Sequence, residues 1–298
     1  MKTFAKLIAP LALLLTAPAC AQTAPVTVVR QAAPALWVVK DADTTIYLFG
    51  TIHVLKPGIK WFDKGVKKAF DSSNQVVLEM VLPDAATMQA IVKQKGYAHD
   101  DIALTARLTG EKRVAFDKAM ADLGLPATAF DKLEPWFAAV NLELLPLQKL
   151  GYDVSNGPEQ LITKAAADGG KPVVGLETAE QQLGFFDGLS MPAQLAFLSA
   201  TVDETPTIGT QIETMVDQWA KGDSAALAKI LNDDVADSPE LEKVLLIDRN
   251  KHWADWIDAR MKQPGVVFMA VGAGHLAGNN SVLVQLQAHH LKAKRVKY

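Results

Sequence analysis

Three short apolar segments, separated by long helical stretches, set the limits on how this chain can fold. The segments cover residues 75–80, 171–177 and 266–271, and all three are rich in Val, Leu or Met. Apolar runs of roughly four to eight residues are typical of strands buried on both faces of a sheet. The helical stretch before the last segment covers most of residues 192–261. We therefore predict an α/β fold, with α+β as the alternative, in which helices flank a central and mostly buried β-sheet.

Further elements complete this predicted domain. Residues 36–40 and 44–49 are β-rich and flank a short polar turn, which predicts a hairpin. Helical periodicity predicts five more helices between the strands, at 61–70, 84–95, 111–123, 135–150 and 158–167. We expect a single domain over residues 36–298, and the pattern leaves open a helical subdomain or cap over 84–150.

Residues 1–21 have the pattern of a bacterial-type secretory signal. A positively charged start is followed by an apolar run at 7–15 and then by small residues up to Ala21. The run is too short to span a bilayer comfortably. We expect cleavage after Ala21 and export to the periplasm or the medium, with residues 22–35 leading into the domain. The alternative, a lipoprotein lipidated at Cys20, is disfavoured because the usual Leu three positions earlier is absent.

Composition excludes several classes of partner and site. The chain has 30 basic and 33 acidic residues, so it lacks the positive surplus that binds a nucleic-acid backbone. Cys20 is its one cysteine, which excludes an internal disulfide and a cysteine-based zinc site. After the signal, no apolar segment is long enough to predict a membrane span. The oligomeric state stays open.

A repeated motif follows two of the predicted strands. Residues 50–53 and 272–275 each read Gly, two further residues and then His. Ligands of open α/β sheets bind at the carboxyl ends of strands, and glycine there permits a sharp turn or a close approach. One isolated histidine in this setting is more often a hydrogen-bonded turn residue. Two in the same setting make His53 and His275 candidate ligands.

Acidic residues end two other predicted strands, Glu79 after 76–78 and Glu177 after 173–176. A carboxylate at the end of a buried strand must be paired, coordinate a cation, or lie in a loop or helix cap that reaches solvent. Together with the two histidines, these residues form a set of two nitrogen and two oxygen donors. Such a set suits Zn²⁺, Mn²⁺ or Co²⁺.

An arginine interrupts the apolar stripe of the helix predicted from residue 239 to about 261. Arg249 is four residues from both Leu245 and Trp253. Its head either reaches water while its stem packs, or it is buried and binds a carboxylate or a developing oxyanion. Asn250 could add a hydrogen-bond donor beside it.

These positions together resemble the TraB/GumN family, which is related to the Tiki metalloproteases and more distantly to erythromycin-esterase-like and ChaN-like proteins. The resemblance covers about residues 36–286, and 151–172 is similar to the family's middle segment. It implies a metal-dependent hydrolase fold in which the two histidines and the glutamate form the site. In the Tiki branch this site cleaves peptide bonds.

We accordingly expect metal-assisted hydrolysis of a peptide or small-molecule substrate. His53 and His275 would bind a divalent ion, with Glu79 as a further ligand or as the base. Arg249 would lie near the oxyanion or hold a substrate carboxylate, and Glu177 would complete the metal shell or orient a histidine. Two other classes stay open: a non-catalytic periplasmic protein that binds haem or a metal complex in the same cleft, and a structural envelope protein with a degenerate site.

Overall fold

Six strands form one mixed sheet in the computed structural model, which describes residues 29–232 and 238–298. The strands of the chain are β1 (Arg30–Gln31), β2 (Leu36–Lys40), β3 (Thr44–Thr51), β4 (Ile59–Lys60), β5 (Gln75–Met80), β6 (Val173–Glu177), β7 (Gly265–Gly272) and β8 (Lys294–Arg295). The sheet has the order β6-β5-β7-β3-β2-β8, and β1 pairs separately with β4. The predicted signal segment and the choice between Ala21 and Cys20 lie outside the described residues.

Four adjacent strands run parallel, from the edge strand β6 to β3, and antiparallel strands follow on the other side. β3 pairs with β7, β7 with β5 and β5 with β6 in parallel, while β2 is antiparallel to both β3 and β8. The hairpin turn is fixed by Asp41, whose carboxylate accepts hydrogen bonds from the backbone N–H groups of Asp43 and Thr44. The predicted hairpin and mixed α/β architecture are confirmed.

Helices cover both faces of this sheet. They are α1 (Lys64–Ser72), α2 (Ala85–Lys95), α3 (Leu104–Arg107), α4 (Gly110–Asp122), α5 (Pro135–Lys149), α6 (Pro158–Asp168), α7 (Ala179–Asp187), α8 (Met191–Glu204), α9 (Ile208–Lys221), α10 (Ser224–Asn232), α11 (Pro239–Glu242), α12 (Asp248–Met261) and α13 (Val282–Gln285). A π-helical segment, Lys243–Ile247, joins α11 to α12. Among the described residues, none of the helices combines the length and apolar character needed to cross a bilayer.

Two local predictions were wrong. The segment at 171–177 was expected to be buried on both faces, but β6 is an edge strand with a single neighbour, so its residues are half-buried and Gly175 is exposed. The first helix begins at Lys64 rather than at residue 61, because Trp61 stacks on Phe49 at a ring-centroid distance of 5.3 Å. Both segments are apolar, as expected. Apolar composition alone, however, does not distinguish an edge strand from a central one, or a packed loop from the first turn of a helix.

One buried aromatic ties the helical layer to the first Gly-x-x-His motif. Trp219 of α9 is fully buried, and its indole N–H donates to the carbonyl oxygen of Gly50 at 2.8 Å. The ring also packs against Phe49 and Trp61. Because the buried indole N–H donates to a backbone carbonyl of the motif, this contact fixes the end of β3 against α9.

Candidate functional site

Strand register places the two Gly-x-x-His motifs side by side. In the parallel pairing of β3 with β7, Gly50 lies opposite Val271 and Thr51 opposite Gly272. A Cβ on Gly50 would lie 3.1 Å from the Cα of Ala273, so glycine permits the second motif to approach closely. The structure brings together all the side chains singled out from the sequence: His53, Glu79, Glu177, Arg249, Asn250 and His275.

Glu79 is an ionised carboxylate near the centre of this cluster. Its Oε1 accepts a 2.6 Å hydrogen bond from the backbone N–H of Gly272, and its Oε2 accepts one of 2.7 Å from Arg249 Nη2. Burial raises the pKa of Glu79, but the positive charge of Arg249, with smaller effects of His275, His53 and the Gly272 N–H, lowers it to about 2. The carboxylate therefore carries its charge throughout the neutral range.

Arg249 is buried, with a 7% exposed side chain, so its head does not reach water. Nε and Nη2 bind the two oxygens of Glu177 at 2.9 and 2.8 Å, and Nη2 also donates to Glu79. Nη1 donates to the carbonyl oxygen of Leu245 at 3.2 Å and lies 3.1 Å from His275 Nε2. A guanidinium has five N–H groups, and these contacts use all of them within the protein. The expected contact of Arg249 with a substrate oxyanion or carboxylate stays a prediction.

Glu177 is held away from the histidines by three donors. Besides Arg249, the indole N–H of Trp253 donates to its Oε1 at 3.0 Å and the amide of Gln182 to its Oε2 at 2.9 Å. The next residue, Thr178, caps α7 as the sequence allowed, and this fixes the chain at the end of β6. In this arrangement Glu177 positions Arg249, and its expected contact with a metal or a histidine stays a prediction.

His275 presents a lone pair at Nε2. Its Nδ1 lies 2.6 Å from the Oδ1 of Asn250, whose own amide donates to the carbonyl of Asn280 and so turns Oδ1 toward the ring. This assigns the proton to Nδ1, and Nε2 then accepts from Arg249, which can only donate. Burial and the charge of Arg249 lower the pKa of His275 to about 3, so the ring is neutral.

His53 is paired with an acid that sequence reasoning missed. Its Nδ1 lies 2.6 Å from Oε1 of Glu159, the second residue of α6. Burial lowers the pKa of His53, but the charge and hydrogen bond of Glu159 outweigh this and leave the pKa raised. A Cβ on Gly157 would lie 2.3 Å from the carbonyl oxygen of His53, so this glycine lets α6 begin against the motif. The available signal was a Gly-Pro-Glu helix start, which sequence alone does not link to a site.

A small space beside Gly272 is bounded by the candidate ligands. A Cβ built there would lie 3.1 Å from Glu79 Oε1, 3.2 Å from His53 Nε2 and 3.5 Å from Cδ2 of His275. Two imidazole nitrogens, each oriented through the opposite ring nitrogen, and one carboxylate are donor types that suit a divalent cation. Within the described ranges, however, no three His, Cys, Asp or Glu side chains form a ready coordination shell. The donors fit such an ion in kind, and His275 would have to exchange its contact with Arg249 for it.

The charges of the cluster also favour a cation. Glu79, Glu159 and Glu177 are each paired, and against their three negative charges stands the single positive charge of Arg249. The lowered pKa values of Glu79 and Glu159 keep both ionised, and the raised pKa of His53 reflects the attraction of a proton to this excess of negative charge. A divalent cation would neutralise it more completely than one proton.

Two clefts meet at His53. Each has a volume of about 720 Å³ when the space open to solvent is included. The first lies between the Gly-x-x-His motifs and helices α5, α9 and α10, and His53, Gly272 and His275 line it. The second lies beside β5 and α6, and His53, Glu79 and Glu159 line it. Clefts that open onto polar side chains at the carboxyl ends of parallel strands are candidate sites for small molecules or short chain segments.

Related proteins align with this chain along most of its length. YbaP of Escherichia coli (strain K12), described as uncharacterized, is 25% identical over 254 residues, which are 84% of this chain and 90% of YbaP. An uncharacterized protein of Treponema pallidum (strain Nichols) is 21% identical over 261 residues, 83% of this chain and 78% of that protein. No solved structure matches. The sequence profile of the TraB/PrgY/gumN family matches residues 35–295, and the chain therefore belongs to this family.

Proposed function

We propose that this chain is an exported hydrolase that cleaves a peptide bond, or another amide or ester bond, at the cluster of His53, Glu79 and His275. The observation that carries the proposal is the space beside Gly272, where His53 Nε2, the His275 ring and a Glu79 oxygen face one another. The site lies at the carboxyl ends of parallel strands and opens to two clefts, which is where an α/β fold places its substrates.

His53, His275 and Glu79 would hold a divalent cation, Mn²⁺, Co²⁺ or Zn²⁺. When bound, the cation would supply Lewis-acid polarisation of the scissile carbonyl. Glu159 holds Nδ1 of His53, whose Nε2 faces the shared space, and Asn250 holds Nδ1 of His275, whose Nε2 contacts Arg249 at the border of that space and would turn to the ion when it binds. If the two histidines hold the cation without Glu79, this carboxylate, charged at neutral pH, is instead the acceptor for a proton from the attacking water.

Arg249 and Glu177 act as positioning residues in this proposal. The guanidinium holds Glu79 through Nη2 and is itself fixed on its other side by both oxygens of Glu177. Its charge also keeps Glu79 ionised and His275 neutral. Both protonation states are those that a base and a metal ligand require.

A peptide-library assay tests the proposal. The protein from residue 22 is stripped with chelator, supplied with one of the three metals at a time and incubated with the library, and cleavage is read by mass spectrometry. We expect cleavage with at least one metal, and its loss in H53A. H289A is the matched control, because His289 pairs with Asp255 outside the site. Equal cleavage by wild type and H53A, or none with any metal, would contradict the proposal.

A further inference from the structure

The cleft between the two motifs and helices α5, α9 and α10 has an apolar wall. Six aliphatic or thioether side chains contribute to it: Leu144, Leu147, Ile208, Ile212, Met215 and Leu231. Among the residues that the structure describes, Glu143 and Gln211 are the polar side chains that line it beside those of the motifs, and no Lys or Arg takes part. The opposite wall consists of the motif residues 51–54 and 272–275.

We propose that this cleft is a subsite for an aliphatic group that adjoins the bond to be cleaved, either the acyl chain of an ester or amide or an aliphatic side chain of a peptide. The inference rests on the proposed hydrolase function, and it adds the class of substrate. It follows from continuity, since His53, Gly272 and His275 belong both to the site and to this cleft. A substrate group that occupies the cleft is therefore attached directly beside the bond that lies at the reacting centre.

The chemistry of the wall selects the occupant. An anionic group would lie near Glu143, and no described residue of the lining would give it a basic partner. A polar chain would lose hydrogen bonds to water along the Leu and Ile side chains. In the described part of the chain, the wall contributed by α5, α9 and α10 has no Phe, Tyr or Trp on which an aromatic group could stack. An aliphatic chain has no hydrogen bonds to water to lose when it enters the cleft, and burial of each methylene makes binding more favourable.

The second cleft would take the other side of the substrate. It starts from the same His53 and has Glu79, Glu159, Gln160 and Thr163 in its lining beside apolar residues of β5 and the loop after it. A substrate would thus lie across His53, with its aliphatic group toward α5 and α9 and the remainder toward α6.

A series of 4-nitrophenyl esters from acetate to decanoate tests the subsite. In the reaction, water adds to the acyl carbon, the bond to the phenol oxygen breaks, and a carboxylic acid and 4-nitrophenol form. With the metal that supports hydrolysis, kcat/KM should rise about fourfold per added methylene until the cleft is filled. The length at which the rise stops measures the depth of the subsite.

Two substitutions of one wall residue should shift this length in opposite directions. I212A enlarges the cleft and should move the optimum to longer chains, whereas I212F narrows it and should move the optimum to shorter ones. Simple destabilisation would lower all rates together and would not produce opposite shifts. L198A is the matched control: Leu198 is fully buried in the same layer but lies outside the cleft lining, so the optimum should not move.

Binding in the absence of turnover separates this inference from the proposed function. Calorimetric titration of the metal-stripped protein should detect binding of 1-octanol. The protein should bind 1,8-octanediol at least tenfold more weakly, because the diol must place a hydroxyl in the apolar cleft. Octanol binding that changes in I212A and I212F, without any ester hydrolysis, would support the subsite and overturn the hydrolase. Hydrolysis indifferent to chain length, or equal binding of the two alcohols, would overturn the subsite.

Discussion

Replacement of Arg249 by Met should destabilise the protein strongly, because the change leaves two carboxylates buried without their cation. The side chains of Glu79 and Glu177 are 7% and 8% exposed, and each forms an ion pair with Arg249 at 2.7 or 2.8 Å. Loss of one partner from a buried ion pair of this kind costs about 3–5 kcal/mol. For a domain of this size the melting temperature should fall by roughly 10 °C.

Urea unfolding followed by tryptophan fluorescence gives the free energy directly. The matched control is R30M, since Arg30 pairs with Asp217 at 2.6 Å but both side chains are substantially exposed. An exposed pair contributes about 1 kcal/mol or less, so R30M should be nearly neutral. If R249M and R30M cost the same, the argument that burial makes the Arg249 pairs important would be refuted.

A double variant tests the charge argument separately from packing. Glu177→Gln removes one of the two carboxylates that R249M leaves unpaired, so R249M/E177Q should be more stable than R249M alone. Two independent losses of packing would instead add, and the double variant would be the less stable one. That additive result would show that the destabilisation does not arise from unpaired charge.

Three further predictions concern the centre of the cluster. G272A should abolish metal binding, because the new Cβ would lie 3.1 Å from Glu79 Oε1 and 3.2 Å from His53 Nε2 and would occupy the space between them. In the control G184A the atom nearest the new Cβ is 3.8 Å away, and calorimetric metal titration should find binding intact. E159Q should lower the pKa of His53, which Glu159 raises, as followed by NMR of the imidazole in chelator-treated protein, and an unchanged pKa would contradict the pairing. The folded-state pKa of Glu79 is about 2 against an ordinary 4.5, so its stabilising charge is present above pH 4.5 and lost as the pH falls through 2. Wild type should therefore lose more unfolding free energy than E79Q between pH 5 and 2.

The clustering of the candidate side chains was largely predictable because strand ends carry these residues. An apolar strand followed at once by Gly and then His places a histidine at one edge of a parallel sheet, and the same argument applied to Glu79 and Glu177. These rules need only local sequence and the general geometry of α/β folds. The parallel pairing of β3 with β7 then brought the two motifs together.

The partners of these residues were less predictable, since they depend on how helices pack. The apolar stripe around Arg249 indicated that its charge needed a partner, but not that this partner would be both glutamates. Glu159 lies in the first turn of α6, where an acid is ordinary on any helix. Only the docking of α6 against the first motif gives that acid its contact with His53.

Metal stoichiometry decides whether His53 and His275 are metal ligands. The chain from Gln22, stripped with chelator, is titrated with Mn²⁺, Co²⁺ and Zn²⁺ as wild type and as H53A/H275A. The account predicts about one ion per wild-type chain with at least one metal, and none bound in the double variant. No specific binding of any of the three ions by wild type, or equal binding by both proteins, would contradict the assignment of His53 and His275 as metal ligands.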